Sequence, residues 1–144
     1  MQIRRARVED VDQVTELLGQ FPPEELTVGW DLMAETFRQI IENSDLGTVL
    51  IADDDGQALG VITLSFPTAM RCGGRYTCIE EFIVGENGRG KGIGGGLLKA
   101  ALAEASARGC YELQVNNPSQ LGYPVYLRYG LEDVGKHLKI VLNK

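Results

Sequence analysis

Apolar residues recur at every fourth position between residues 93 and 105. The series consists of Ile93, Leu97, Ala101 and Ala105, and it is widened by Leu98 and Leu102. Glu104 and Arg108 stand at a favourable i,i+4 spacing, and Gly109 occupies the place where a glycine commonly closes a helix. The pattern predicts an amphipathic helix that ends at Gly109.

The other hydrophobic patterns predict further elements along the chain. In order they are a strand at 2–6, a helix from Val8, a helix with Met33, Phe37, Ile40 and Ile41 on one face, strands at 48–53, 58–66 and 78–84, the helix above, a strand at 111–115, a short helix at 125–129 and a last strand pair at 131–134 and 137–142. Residues 53–56 (DDDG) indicate a hairpin turn, whereas an EF-hand would need acidic residues where isoleucines 51 and 62 stand. The order βααβββαβαβ predicts one mixed α/β (α+β) domain over residues 1–144.

Composition and charge exclude several classes of protein. Hydrophobic content of 44% and charged content of 24% are ordinary for a globular domain, no apolar run is long enough for a membrane span, and residues 1–10 lack the apolar core of a signal peptide. The three cysteines show no metal-ligand spacing, which favours a reducing cytoplasm and no metal site. A formal net charge of −6 argues against nucleic acid as a partner.

Four glycines crowd the predicted first turn of the central helix. They are Gly92, Gly94, Gly95 and Gly96. Each costs up to about 1 kcal/mol relative to alanine inside a helix, so we expect something to approach the backbone closely there. Because a helix N-terminus offers unpaired N–H groups and partial positive charge, and Arg89 and Lys91 stand beside it, the stretch predicts a phosphate-binding site.

Two nucleotide-binding motifs overlap this stretch. The first is nearly a P-loop, Gly85-x-x-x-x-Gly90-Lys91, but glycine stands at position 92, where a Ser or Thr is needed. The second fits a dinucleotide fingerprint, Gly90-x-Gly92-x-x-Gly95, with Glu112 about 20 residues later. Both loops usually follow the first strand of a parallel sheet, and the 35 residues after Gly109 are too few for that sheet.

The pattern Arg89-x-x-Gly92-x-Gly94 resembles the cofactor-binding motif of the GNAT superfamily of N-acetyltransferases. The similarity extends over residues 79–113, whose flanks IEEFIV and GCYEL are most similar to the glucosamine-6-phosphate N-acetyltransferase-like branch, and the predicted element order is that of the whole family fold. The resemblance therefore implies a mostly antiparallel twisted sheet flanked by helices.

The resemblance also implies which residues bind acetyl-coenzyme A. The loop amides would hold its pyrophosphate, through Arg89, Gly90, Lys91, Gly92, Ile93 and Gly94, with Gly95 close by. The strand before the loop would pair its backbone with the pantetheine arm through Phe82, Ile83 and Val84, and the Val84 amide is a candidate to polarise the thioester carbonyl. Asn117 or Ser119 would either contact the cofactor or cap the following helix.

Tyr126 lies in VYLRYGL, which is similar to the family pattern FY-three-residues-GF, with Val125 and Leu131 in place of the aromatics. In the family this tyrosine protonates the departing thiolate, and a phenol with a pKa near 10 can donate to a thiolate whose conjugate acid has a pKa of about 8.5. The alternative is that Tyr126 is a packing aromatic.

Glu80 and Glu81 interrupt a central strand that should be apolar on both faces, and strict alternation places one carboxylate on each side. Buried charge is unfavourable unless it is paired or functional. One of the two could accept a proton from an amine substrate, which is only about one part in two thousand neutral at pH 7. The alternative is a salt bridge to Arg71 or Arg75.

These residues predict an acetyl-CoA-dependent N-acetyltransferase that acts on a primary amine of a small molecule or peptide. The acetyl group would pass directly to the amine through a tetrahedral intermediate, with release of coenzyme A. One alternative is a non-catalytic domain that binds or senses acetyl-CoA, and another is a P-loop or dinucleotide-binding domain. The family resemblance also implies that a homodimer is common.

Overall fold

The computed structural model of the protein describes residues 1–142. Its strands are β1 (Gln2–Arg5), β2 (Gly47–Asp54), β3 (Gln57–Ser65), β4 (Thr68–Ala69), β5 (Gly74–Arg75), β6 (Thr77–Val84) and β7 (Leu113–Val115). Its α-helices are α1 (Val11–Leu18), α2 (Trp30–Glu42), α3 (Ile93–Ala107) and α4 (Tyr123–Arg128). Short 3-10 turns cover Val8–Asp10, Pro23–Glu25, Met70–Cys72 and Glu86–Gly88.

Five strands form one sheet in the order β1-β2-β3-β6-β7. All neighbours are antiparallel except β6 and β7, which run parallel. The predicted mixed α+β class and the mostly antiparallel sheet are confirmed. The same arrangement rules out the P-loop and dinucleotide alternatives, because both require a parallel sheet built from successive βα units.

Apolar cores lie on both faces of the sheet, because successive side chains of a strand point to opposite faces. Val49 and Ile51 of β2 pack in the cluster that also contains residues of α1 and α2, whereas Leu50 and Ala52 pack in the cluster beneath α3. Helices therefore cover both faces, and the central strands are buried on each side.

The ends of α3 and of the β2–β3 hairpin follow the sequence prediction. Gly109 adopts a left-handed conformation with φ 72°, and the amide of Cys110 donates to the Ala105 carbonyl at 3.0 Å, which closes the helix in a Schellman motif. In the hairpin, Asp55 and Gly56 both have positive φ, the requirement of the tight type I′ turn. The Asp53 side chain accepts the Gly56 N–H at 2.8 Å, which stabilises that turn.

The predicted last strand pair is wrong within the described residues. Residues 131–142 form neither helix nor strand, so the described order ends at α4. Alternating apolar residues make a strand only when a neighbouring strand offers hydrogen bonds and a surface to bury them. Here Val134 is 92% exposed and Ile140 is 81% exposed. The strand predicted at 111–115 is also shorter, and it begins at Leu113.

Candidate functional site

A cleft opens where β6 and β7 part. β7 pairs only with Thr77–Ile79, so the rest of β6 has no strand partner on that side among the described residues. The cleft contains a cavity of about 420 Å³ between β6, the loop after it, the start of α3 and α4. All but two of the residues predicted to bind a cofactor line it, namely Phe82, Ile83, Val84, Arg89, Gly90, Gly92, Ile93, Gly94, Gly95 and Ser119.

Lys91 and Asn117 are the two exceptions. Lys91 is exposed and does not line the cavity, and Asn117, with φ 50°, lines a separate groove beside β7. Ser119 does reach the cavity wall, but its Oγ also accepts the Gly122 amide at 3.0 Å. Ser119 therefore shapes the chain just before α4, which is close to the capping role that the sequence left open.

The loop before α3 needs two of its glycines for their conformation. Gly90 and Gly92 have φ values of 78° and 75°, in the left-handed region that favours glycine, and a Cβ on either would meet no atom within 4 Å. Gly92 directly precedes α3, whose first-turn N–H groups have no intrahelical acceptor. The N-terminus of a helix thus opens on the cavity, with Arg89 beside it.

Packing explains two of the other three glycines of α3, Gly95 and Gly96. A Cβ at Gly95 would lie 2.5 Å from the hydroxyl of Tyr129, and a Cβ at Gly96 would lie 3.0 Å from Cδ1 of Ile3. At Gly95 and Gly96 the close approach predicted from the sequence is therefore made by side chains of the protein itself, those of Tyr129 and Ile3. A Cβ at Gly94 would make ordinary contacts of 3.4 and 3.6 Å with Phe82 and Val84 across the space between α3 and β6.

A β-bulge brings Glu80 and Glu81 to the same face of the sheet. Thr63 of β3 is paired with Glu81 and the next residue, Leu64, with Ile79, so Glu80 is the extra residue. Thr63 Oγ1 donates to Glu81 Oε1, and Ser65 Oγ donates to Glu80 Oε2 at 2.7 Å. The prediction of one carboxylate on each side is wrong, because the bulge resets the alternation on which it depended.

The salt-bridge alternative for these glutamates is also wrong. Arg71 pairs with Glu112 at 2.5 Å, and Arg75 pairs with Asp45 at 3.1 Å. Glu112, the acidic residue of the dinucleotide fingerprint, therefore forms an ion pair with Arg71 and lies just before β7.

The surroundings of Glu81 favour its protonated form. Desolvation by the surrounding protein raises the pKa of the Glu81 carboxyl, and the negative charge of Glu80 raises it further. The hydrogen bond from Thr63 acts in the opposite direction and lowers it. Glu81 is exposed on β6, directly before Phe82, the first residue of the strand that lines the cavity. A carboxylate with a raised pKa at this position is a candidate proton acceptor.

Tyr126 does not line this cavity and lies instead in the wall of the groove beside β7 that also contains Asn117. Its side chain is 5% exposed, and its ring lies 5.5 Å from the ring of Phe82, with the two planes inclined at 48°. A Cβ at Gly122, which lines the cavity, would approach the Tyr126 ring to 3.2 Å. Burial raises the pKa of the phenol, so Tyr126 stays protonated and able to donate throughout the neutral pH range.

Sequence reasoning missed several residues of the site. Gln20 and Phe21, in the chain that follows α1, line the cavity, as do Leu121 and Arg128. Nothing in the local sequence distinguishes them from ordinary loop and surface residues. A signal did exist for Thr63 and Ser65, because they are hydroxyl residues in an otherwise apolar strand and they alternate.

Neither Cys78 nor Cys110 has the properties of a nucleophile. Desolvation raises the pKa of both thiols, which disfavours the reactive thiolate. Among residues 1–142, no group of three His, Cys, Asp or Glu side chains could hold a metal ion. None of the helices in this part of the chain is long and apolar enough to cross a bilayer.

Comparisons with known proteins agree with this geometry. Residues 11–130 match the model of the acetyltransferase (GNAT) family. The uncharacterized N-acetyltransferase YhfO of Bacillus subtilis (strain 168) is 29% identical over 150 residues, which cover 99% of this chain and 97% of that protein.

Two solved structures illustrate the structural similarity. A predicted acetyltransferase from Clostridium acetobutylicum, crystallised with acetyl-CoA, has a TM-score of 0.80 and 25% identity over 97% of this chain and 95% of its own. Integron cassette protein HFX_CASS3, from the mobile metagenome of Cole Harbour Salt Marsh, has a TM-score of 0.85 and 27% identity over 98% and 90% of the two chains.

Proposed function

Because the chain belongs to the acetyltransferase (GNAT) family, we propose that acetyl-CoA binds in the cavity between β6 and α3 and that Glu81 and Tyr126 serve the transfer of its acetyl group. The protein is an acetyl-CoA-dependent N-acetyltransferase. One observation carries the placement of the cofactor: the free side of β6 and the N-terminus of α3 line the same cavity.

The residues around the cavity fit acetyl-CoA. Its pyrophosphate would lie at the N-terminus of α3, where the amides of Arg89 to Gly94 and the partial positive charge of the helix favour an anion. Its pantetheine arm would extend along the free side of β6, where the backbone of Phe82 and Val84 can donate and accept hydrogen bonds. When bound, acetyl-CoA would supply an acetyl group that passes from its thioester sulfur to the amine nitrogen, with coenzyme A leaving as the thiol.

Glu81 would accept the proton of the acceptor amine, directly or through one water molecule. An alkyl ammonium group with a pKa near 10.4 is almost fully protonated at pH 7, and its nitrogen has no lone pair until that proton leaves. The raised pKa of Glu81 brings the carboxylate closer to the working pH, where a base is most effective. Glu80 would add a second negative charge that attracts the cation.

Tyr126→Phe tests the proposed general acid. Because the Tyr126 hydroxyl would donate a proton to the departing thiolate, we expect kcat to fall by about 10²-fold or more. Release of free thiol from acetyl-CoA over a panel of amines measures this loss, and the melting temperature controls for folding. Undiminished turnover in Tyr126→Phe would leave Tyr126 as a packing residue against Phe82.

The same assay separates an enzyme from a binding module. The observation that favours a non-catalytic domain is that Tyr126 is buried and does not line the cavity. Binding of acetyl-CoA without thiol release on any amine of the panel would support that alternative and would contradict the catalytic roles of Glu81 and Tyr126.

We further propose a primary amine of a small molecule or peptide as acceptor, a cytoplasmic location and a homodimer. The two exposed carboxylates of Glu80 and Glu81, on the part of β6 that precedes the cavity wall, support a cationic acceptor. The exposed apolar side chains of Val134, Leu138 and Ile140 support association of two chains, because a second copy could cover them. Sedimentation velocity would then give twice the mass of one chain, and a single-chain mass would contradict the dimer.

A further inference from the structure

Thr63 makes two hydrogen bonds to a single residue across the bulge. Its Oγ1 accepts the backbone N–H of Glu81 at 2.9 Å and donates its own proton to Glu81 Oε1. A hydroxyl has one proton and two lone pairs, so both bonds can form together. Thr63 is only 6% exposed, and as a β-branched residue it has restricted χ1 freedom. The pair of bonds therefore fixes both the backbone of the bulge and the direction of the Glu81 carboxylate.

Ser65, two residues along β3, contacts the other glutamate. Its Oγ donates to Glu80 Oε2 at 2.7 Å, while Thr77 Oγ1 donates to the Ser65 carbonyl at 2.9 Å. The two hydroxyls of β3 thus give each carboxylate a separate donor. This matters because a carboxylate that loses its donor is free to turn toward other groups, and only a fixed one meets an amine at a constant distance.

We propose that Thr63 is the positioning residue that holds the Glu81 carboxylate in place for the acetyl transfer. The inference rests on the proposed role of Glu81 as proton acceptor, and Thr63 acts through Glu81 without touching the substrate. It predicts that the Thr63 hydroxyl, rather than the volume of the side chain, is what the reaction needs.

The direction of the pH effect follows from the groups that face Glu81. Glu80, on the same strand, is the charged group that acts on it among the described residues, and the facing positions of β3 carry the hydroxyls of Thr63 and Ser65. Since the Thr63 hydrogen bond lowers the pKa of Glu81, removing the hydroxyl raises that pKa. The base is then protonated up to a higher pH, and the acid limb of the rate profile moves upward.

Three variants test this inference. Thr63→Val removes the hydroxyl at nearly constant volume, Thr63→Ser retains it, and Ser65→Ala removes the matched hydroxyl at Glu80. In ¹³C NMR titrations of the glutamate carboxyls, we expect the Glu81 titration to move to higher pH in Thr63→Val only. Turnover is measured with acetyl-CoA and the best amine from a panel of a diamine, an aromatic amine, an aminosugar and a peptide. We expect kcat of Thr63→Val to fall about tenfold, while its KM for acetyl-CoA stays unchanged. Thr63→Ser should restore kcat.

The outcomes distinguish this inference from the proposed function. The positioning role would be overturned if the Glu81 titration did not shift in Thr63→Val. It would also be overturned if the rate of this variant fell equally at every pH, because a purely structural defect lowers activity without moving the acid limb. Full turnover in Glu81→Gln would contradict the proposed base and leave the titration result standing. If Thr63→Val does not fold, Thr63→Ala removes the same hydroxyl without overpacking and carries the same test.

Discussion

Glu81→Gln is expected to lower kcat by about 10²- to 10⁴-fold, the range that a general base contributes, while the affinity for acetyl-CoA stays within about twofold of the wild type. Glutamine keeps the shape of the side chain and can still accept the hydrogen bond from Thr63, but it cannot take a proton from an ammonium group. Steady-state thiol release gives kcat, and calorimetry gives the affinity for acetyl-CoA.

The fold should tolerate this substitution well. The pKa of Glu81 is higher in the folded state than in the unfolded state. Between these two pKa values the folded protein binds more protons than the unfolded chain. The free energy of unfolding therefore falls as the pH rises above the pKa of the unfolded carboxyl. Glu81→Gln removes this unfavourable ionisation, and we expect its melting temperature at pH 7 to equal or exceed that of the wild type. An unchanged or higher melting temperature would show that the loss of activity does not come from unfolding.

Glu80→Gln is the matched control on the neighbouring residue. Glu80 lies on the same face of the sheet and accepts its own hydrogen bond, from Ser65. Because the base is assigned to Glu81, replacement of Glu80 should weaken binding of a cationic acceptor and leave kcat within about tenfold of the wild type. A larger loss of kcat in Glu80→Gln than in Glu81→Gln would assign the base to Glu80. Full activity in both variants would remove the glutamate pair from the chemistry.

Gly94→Leu is expected to abolish binding of acetyl-CoA without loss of stability. A Cβ at position 94 makes only ordinary contacts with Phe82 and Val84, so the remaining atoms of leucine would occupy the space between α3 and β6. That is the space assigned to the cofactor, and we expect its affinity to fall by roughly 100-fold or more, which corresponds to at least about 2.8 kcal/mol. Calorimetric titration with acetyl-CoA measures the change.

Stability should move in the opposite direction. Glycine costs a helix up to about 1 kcal/mol relative to leucine or alanine, so thermal melting should show an unchanged or higher midpoint for Gly94→Leu. Lys99→Leu, on the exposed face of the same helix, controls for the added apolar side chain and should bind acetyl-CoA normally. Normal binding by Gly94→Leu would show that the cofactor lies elsewhere.

Local patterns in the sequence were sufficient to predict much of the fold. The apolar repeat of α3, its closure at Gly109 and the tight turn at Asp55 and Gly56 each depend on neighbouring residues only. The glycine-rich loop could be predicted for the same reason, since the requirement for positive φ at Gly90 and Gly92 is a property of the local backbone.

The features that were missed depend on residues far apart in the chain. The bulge at Glu80 arises from the register between β6 and β3, and it changed the face on which a carboxylate lies. Gly95 is a glycine because the hydroxyl of Tyr129, 34 positions later, lies against it. The alternation at 131–142 predicts strands, but whether a partner strand covers them is a property of the whole fold that no local pattern contains.

Hydrogen–deuterium exchange with and without acetyl-CoA tests the central claim most directly. If the free side of β6 and the N-terminus of α3 hold the cofactor, amides in the segments 80–84 and 89–95 exchange more slowly in its presence, because the ligand occupies donors that water otherwise reaches. Exchange in α2, which does not line the cavity, should not change. Unchanged exchange in both segments at millimolar acetyl-CoA, or protection confined to another part of the chain, would contradict the account.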